Sequence, residues 1–388
     1  MGNLATLKRK IGQRLIVGFD GETVPPELLR LDEEWGLGGF ILFKRNLKEL
    51  NQIFTLNETL QGLGRGTPPF IGVDQEGGRV ARLPEPYTQF PDMVCVGQNG
   101  TVSMAYEVGA ILGRELGASG FNLNFAPVLD VNTNPDNPII GTRAISSDPE
   151  VVATLSHSMI KGLFDNSVVA CGKHFPGHGD TTEDSHVTLP VCDKSEEELL
   201  AVEMYPYRRL MEMGSSLDMV MLSHVLYPQL DPKLPASLSP KIIQEFLRAE
   251  VGFRGVTISD DLEMAAIADH HSMEEVTHMG FNAGLDLFLV CHDIDKQVTV
   301  LETLLKIAES EVVPKMVWDV PLNRIGQVKR NHFRSRSAID RVHAKELIGA
   351  REHQRISRRL RDEFNKLQAS LAKSAVAPPQ EAEATEES

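Results

Sequence analysis

Cysteines, aromatic side chains and long apolar runs are all scarce in this chain of 388 residues. The four cysteines, Cys95, Cys171, Cys192 and Cys291, are too scattered for a C-x-x-C or zinc-ribbon motif and too few for a disulfide scaffold. A reducing compartment is the simplest reading, with Cys95 and Cys291 as small buried side chains. No stretch reaches the 18 apolar residues of a membrane span. Residues 1–10 lack the apolar core of a signal peptide, so a cytoplasmic location is expected. Basic residues are also in deficit, with 39 Lys and Arg against 54 Asp and Glu and a net charge of −15. That balance argues against nucleic acid as a partner. The deficit is uneven: residues 1–321 hold 25 basic and 45 acidic side chains, whereas residues 322–363 hold 12 and 5.

The chain does have a regular alternation of apolar runs and helix-periodic stretches. Eight short runs bounded by turn residues fall at 15–19, 39–43, 69–73, 122–126, 168–173, 219–222, 255–259 and 286–290. Stretches such as 102–116, 196–213 and 241–250 between them have helical spacing, and 295–310 reads as a closing helix. Continuous apolar runs alternating with helices indicate buried parallel strands. Eight such units point to an α/β fold, a single (β/α)8 TIM-type barrel. The expected organisation is a barrel over residues 1–340, a basic helical extension over 341–370 and a disordered acidic tail over 371–388.

In a barrel of this kind the chemistry sits at the C-terminal ends of the strands. Six runs lead there into ionisable groups: Asp74 with Glu76, Asp130, Lys173 with His174, His224, Asp260 with Asp261, and His292. The densest segment, residues 173–186, holds Lys173, His174, His178, Asp180, Glu183, Asp184 and His186. It admits three readings. One is a metal site built on His174, His178 and His186, although Pro176, Gly177 and Gly179 forbid the helix that would align the first two. Another is a turn-rich loop with satisfied histidines. The third is an active-site loop in which Asp184 orients and tunes His186 for acid–base work near neutral pH. A carboxylate at 260 or 261, among cations, would stay ionised and could attack an electrophilic carbon. Strand alternation allows only one of the two to face the pocket and does not say which.

Five segments then carry a resemblance: 73–80 (Asp74 to Val80 with its Gly77-Gly78 turn), 124–131, 173–181, Asp184-Ser185-His186, and 259–264. In this order the sequence closely resembles glycoside hydrolase family 3, in its single-domain bacterial β-N-acetylglucosaminidase branch. The resemblance implies a retaining exo-β-N-acetylglucosaminidase that works through a covalent glycosyl-aspartate. Asp260 would be the nucleophile, His186 the acid/base and Asp184 its partner. Asp74, Arg82, Arg143, Lys173 and His174 would hold the hydroxyls of the terminal sugar. The implied substrate is a small saccharide or a peptidoglycan-derived muropeptide, with no metal and no cofactor. Phosphorolytic cleavage and β-glucosidase activity are alternatives within the family, and a metal-dependent barrel hydrolase is the alternative outside it.

Overall fold

In a computed structural model of the chain, which describes residues 4–64, 66–99, 101–183, 185, 188–310, 314–333 and 338–376, all eight apolar runs form strands. These are β1 (Leu15–Val17), β2 (Gly39–Leu42), β3 (Phe70–Val73), β4 (Leu123–Asn124), β5 (Val169–Phe175), β6 (Met219–Leu222), β7 (Val256–Asp261) and β8 (Leu287–Val290). Each pairs in parallel with the next, and β1 pairs with β8 through Val17 and Val290, which closes the barrel.

The two-residue period of a strand sorts these side chains into two layers. Ile16, Ile41, Leu123, Cys171, Met221, Ile258 and Leu289 pack together inside the barrel. Their neighbours Val17, Phe40, Val73, Val220 and Val290 pack outward in the shell shared with the helices. Each such side chain taken fully out of water contributes roughly 1.5–3 kcal/mol, so the layering alone fixes strand register.

Between the strands, one helical stretch differs from expectation. The stretch 196–213 is two helices, Glu196–Ala201 and Tyr205–Glu212, not one. Pro206 sits in the first turn of the second, where its missing N–H costs nothing, and it could not continue the first.

The basic segment after residue 314 is packed rather than free. The helix Lys315–His332 plugs the N-terminal mouth of the barrel, where Ile325 and Val328 join the inner layer. There Lys329 donates to the Gly38 carbonyl at 2.9 Å and to Gln13 at 2.8 Å, and Arg324 donates to Asp286 at 3.0 Å. The helix Arg351–Val376 lies against the helices Val94–Asn99 and Val102–Ala118. It is pinned by His353 on Glu115 (2.8 Å) and by Ser357 donating to the Gln89 carbonyl (2.6 Å). That helix enters the segment expected to be a tail, and residues from 377 onward lie outside the described residues. Among the described residues no helix is long and apolar enough to cross a membrane.

Candidate active site

A cavity of about 220 Å3 opens at the C-terminal ends of the strands, and residues from β2, β5, β6, β7 and β8 and from the loop after β3 line it. A larger hollow of about 440 Å3 lies at the other end, among Asn122, Asn166, His332 and Asp340. Size does not decide between them; the concentration of charged groups does. Asp74, Arg82, Arg143, Lys173, His174 and Asp260 all line the smaller cavity. Asp184 and His186 lie outside the described residues, but Ser185 between them is buried and lines the same cavity.

One wall is an ion lattice. Lys173 donates to Asp74 at 2.6 Å and contacts Glu76 at 2.6 Å, while Arg143 grips both oxygens of Glu76 at 2.8 and 2.9 Å. Burial alone would raise the Glu76 carboxyl, but the charges of Lys173 and Arg143 outweigh it and hold it well below the usual carboxylate range. For Lys173 the balance has the opposite sign: burial would lower it, and Asp74 and Glu76 keep it raised and charged. The loop carrying these acids is shaped by amide side chains. Asn124 exchanges two 3.0 Å bonds with the Gln75 backbone, and the Gln75 side chain accepts from the backbone N–H of Arg82 at 2.8 Å. Among the described residues the Arg82 Nε is buried without a hydrogen-bond partner.

Behind that lattice, fully buried Asp130 accepts three bonds: from the backbone N–H groups of His174 (3.1 Å) and His178 (2.7 Å), and from Nδ1 of His174 (2.7 Å). It fixes the His174 ring and leaves Nε2 outside this bond.

β5 and β7 both shift register at their C-terminal ends, against β6 and β8 respectively. Such irregularities re-aim side chains, and here they fall at Lys173–His174 and at Ser259–Asp260, just before Asp261. Both aspartates consequently line the cavity, contrary to the alternation expected of a regular strand, and their environments diverge. For Asp260 burial favours the neutral acid, but His174, His224, the Asp261 N–H and Lys173 together hold it below the ordinary value, hence ionised. Asp261 turns toward β8, accepting from the Cys291 N–H at 3.2 Å, and burial pushes it up to about 7.

The profile described as Glycosyl hydrolase family 3 N terminal domain matches residues 6–328. The chain belongs to glycosyl hydrolase family 3. Its relatives include Beta-hexosaminidase A of Pseudoalteromonas piscicida, 36% identical over 321 residues, which cover 74% of this chain and 53% of that protein. The chain therefore spans about half the length of that relative. It matches 72% of the Beta-hexosaminidase of Neisseria gonorrhoeae at 40% identity over 67% of its own length. Among solved structures it is similar to a glycoside hydrolase family 3 β-N-acetylglucosaminidase from Paenibacillus sp., with a TM-score of 0.87 and 38% identity over 91% of this chain and 68% of that one.

In this family 3 barrel, three residues at or behind the cavity had no role assigned from sequence, Glu76, Asp130 and His224, and His178 had one only in the metal reading. His178 has both ring nitrogens engaged, Nδ1 with Thr181 at 2.7 Å and Nε2 with Ser185 at 3.2 Å. The Thr181 hydroxyl donates to the His178 carbonyl, so Nδ1 is the donor and Nε2 accepts from Ser185. That engagement removes His178 from the metal-ligand set weighed above. His224 likewise spends Nε2 on the Asp261 carbonyl (3.0 Å) and Nδ1 on Ser237 (2.7 Å).

Burial pushes His178 down to about 4, with the His174 charge adding to the effect. The unfolded chain takes up that proton near pH 6.5 and the folded chain only near 4. Stability is therefore lost as pH falls from about 6.5 to about 4, on the order of 3 kcal/mol from this residue. Urea midpoints between pH 7.5 and 4.5 should fall accordingly, and the fall should shrink in His178→Asn. An identical pH slope in both proteins would rule out His178 as the cause.

Proposed function

We propose that the chain is a retaining exo-β-N-acetylglucosaminidase that removes terminal N-acetylglucosamine from β-glycosides, with peptidoglycan-derived muropeptides as the natural source. The observation that carries this reading is the pairing of an ionised Asp260 with an ion lattice across one small cavity. A sugar ring held through its hydroxyls by Asp74, Lys173, Arg82 and the Nε2 of His174 would bring its anomeric carbon to the Asp260 carboxylate. Charge-assisted bonds of this kind orient as well as bind. A cavity of about 220 Å3 suits one ring, which is the condition for exo action.

In the reaction proposed, an Asp260 oxygen attacks the anomeric carbon while the glycosidic oxygen leaves with a proton from His186, oriented by Asp184. Water, deprotonated by His186, then releases the sugar with net retention. Relatives named β-hexosaminidase and β-N-acetylglucosaminidase support this choice of sugar. Product analysis on a muropeptide and on chitobiose, with and without phosphate, tests it. Free N-acetylglucosamine is expected in all four arms, whereas the sugar 1-phosphate in the phosphate arms would move the assignment to phosphorolysis.

The acid role of His186 has its own test. His186→Ala should lower kcat/KM for chitobiose by about 10²–10⁴-fold and have far less effect on a nitrophenyl glycoside, whose leaving group departs unprotonated. Equal losses on the two substrates would refute it.

A further inference from the structure

One wall of the cavity has no task in the reaction above. β1 is followed by Gly18, where a Cβ would sit 2.1 Å from the Cys291 carbonyl oxygen, so no side chain can rise from that position. Phe43, after β2, and His292, after β8, instead meet across it. Their rings stack at 5.8 Å with planes 23° apart, and both line the cavity. The Arg45 guanidinium lies 4.5 Å from the centre of the Phe43 ring and is itself held by the Phe19 and Cys291 carbonyls (3.1 and 2.7 Å) and by Asp20 (2.7 Å). The pair is thus braced from below, while the His292 side chain is 52% exposed. His292 also lines an adjoining groove of about 140 Å3 with Gly18, Phe19, Asp20 and Leu28. One imidazole therefore stands between the catalytic cavity and open space beside it.

We propose that the Phe43–His292 pair is the aglycone subsite and takes the second pyranose ring of a β-linked oligosaccharide. This rests on the glycosidase reading, and the argument is directional. C1 and C4 lie at opposite ends of a pyranose. Of the groups that would grip the far hydroxyls, Asp74 and Glu76 follow β3 and Lys173 belongs to β5, whereas Asp260 belongs to β7. The departing ring must extend from C1 away from those grips, over β8 and β1, where the pair stands. The acid/base loop approaches from a compatible side, since the Ser185 carbonyl accepts from the Ala266 N–H just after β7. A pyranose presents a face of C–H bonds rimmed by hydroxyls. Flat rings match that face, and an imidazole edge can also serve a hydroxyl.

The test compares chitobiose with N-acetyl-β-D-glucosaminyl fluoride, whose departing atom carries no ring. The ratio of the two kcat/KM values should fall about tenfold in His292→Ala and in Phe43→Ala, the size of one lost ring contact, and recover in His292→Phe. Because the ratio is taken within one protein, it does not depend on how much of a variant is folded. An unchanged ratio in both alanine variants overturns the subsite while leaving the glycosidase reading in place. A wild-type protein that releases N-acetylglucosamine from neither substrate overturns both.

Discussion

Asp260→Ala should abolish turnover of aryl β-N-acetylglucosaminides, with kcat falling on the order of 10⁴-fold or more, the scale seen when a covalent nucleophile is removed. The protein should stay folded, because among the described residues the hydrogen bond Asp260 makes is to the neighbouring Asp261 N–H at 2.8 Å, so no distant element hangs on its carboxylate. The expected signature is therefore lost chemistry in a protein that still unfolds cooperatively, with a Tm at or modestly below that of the wild type. Azide fits the space of a missing carboxylate and should restore turnover, releasing the sugar as the α-azide. Residual activity within tenfold of wild type, at normal substrate affinity, would show that another group attacks. Asp261→Ala is the internal control, since its carboxyl faces β8 and rises toward neutrality; it should cost far less.

The second large effect is on the fold. In Asp130→Ala, two backbone N–H groups and the His174 ring lose their common acceptor at a fully buried position. Removing one member of such a buried set costs about 3–5 kcal/mol, readable as a shift in the urea midpoint. Activity should fall as well, because His174 and the loop that begins at His178 lose their anchor. A loss below about 1 kcal/mol would mean that water replaces the carboxylate there.

Much of this was legible in the residue order. All eight strands were, because a parallel strand buried on both faces must be apolar throughout. The strand ends were not. β5 runs past the expected 173 through His174 and Phe175, and β7 past 259 through Asp260 and Asp261, where register shifts let polar residues continue the pairing. The gathering of Asp74, Arg82, Arg143, Lys173, His174 and Asp260 at one cavity followed from the family resemblance. Glu76 did not, because its partners stand 67 and 97 positions away and no local spacing marks such a pairing. Asp130 stood among the strand-end acids, yet nothing local tied it to two histidines more than forty positions later. The arginine-rich C-terminal part looked like a charge anomaly in one dimension. In three, Arg324 and Lys329 serve the barrel floor and His353 serves Glu115.

Closure of the barrel through β1 and β8 bears on the chain's synthesis. The residues that meet there, Val17 and Val290, are made 273 positions apart. At about 5–20 residues per second on a ribosome, one edge of the nascent sheet waits roughly 14–55 s for its partner. An unpaired edge is a template for the wrong strand. The brevity of β1, three residues, keeps that template small for as long as it is exposed.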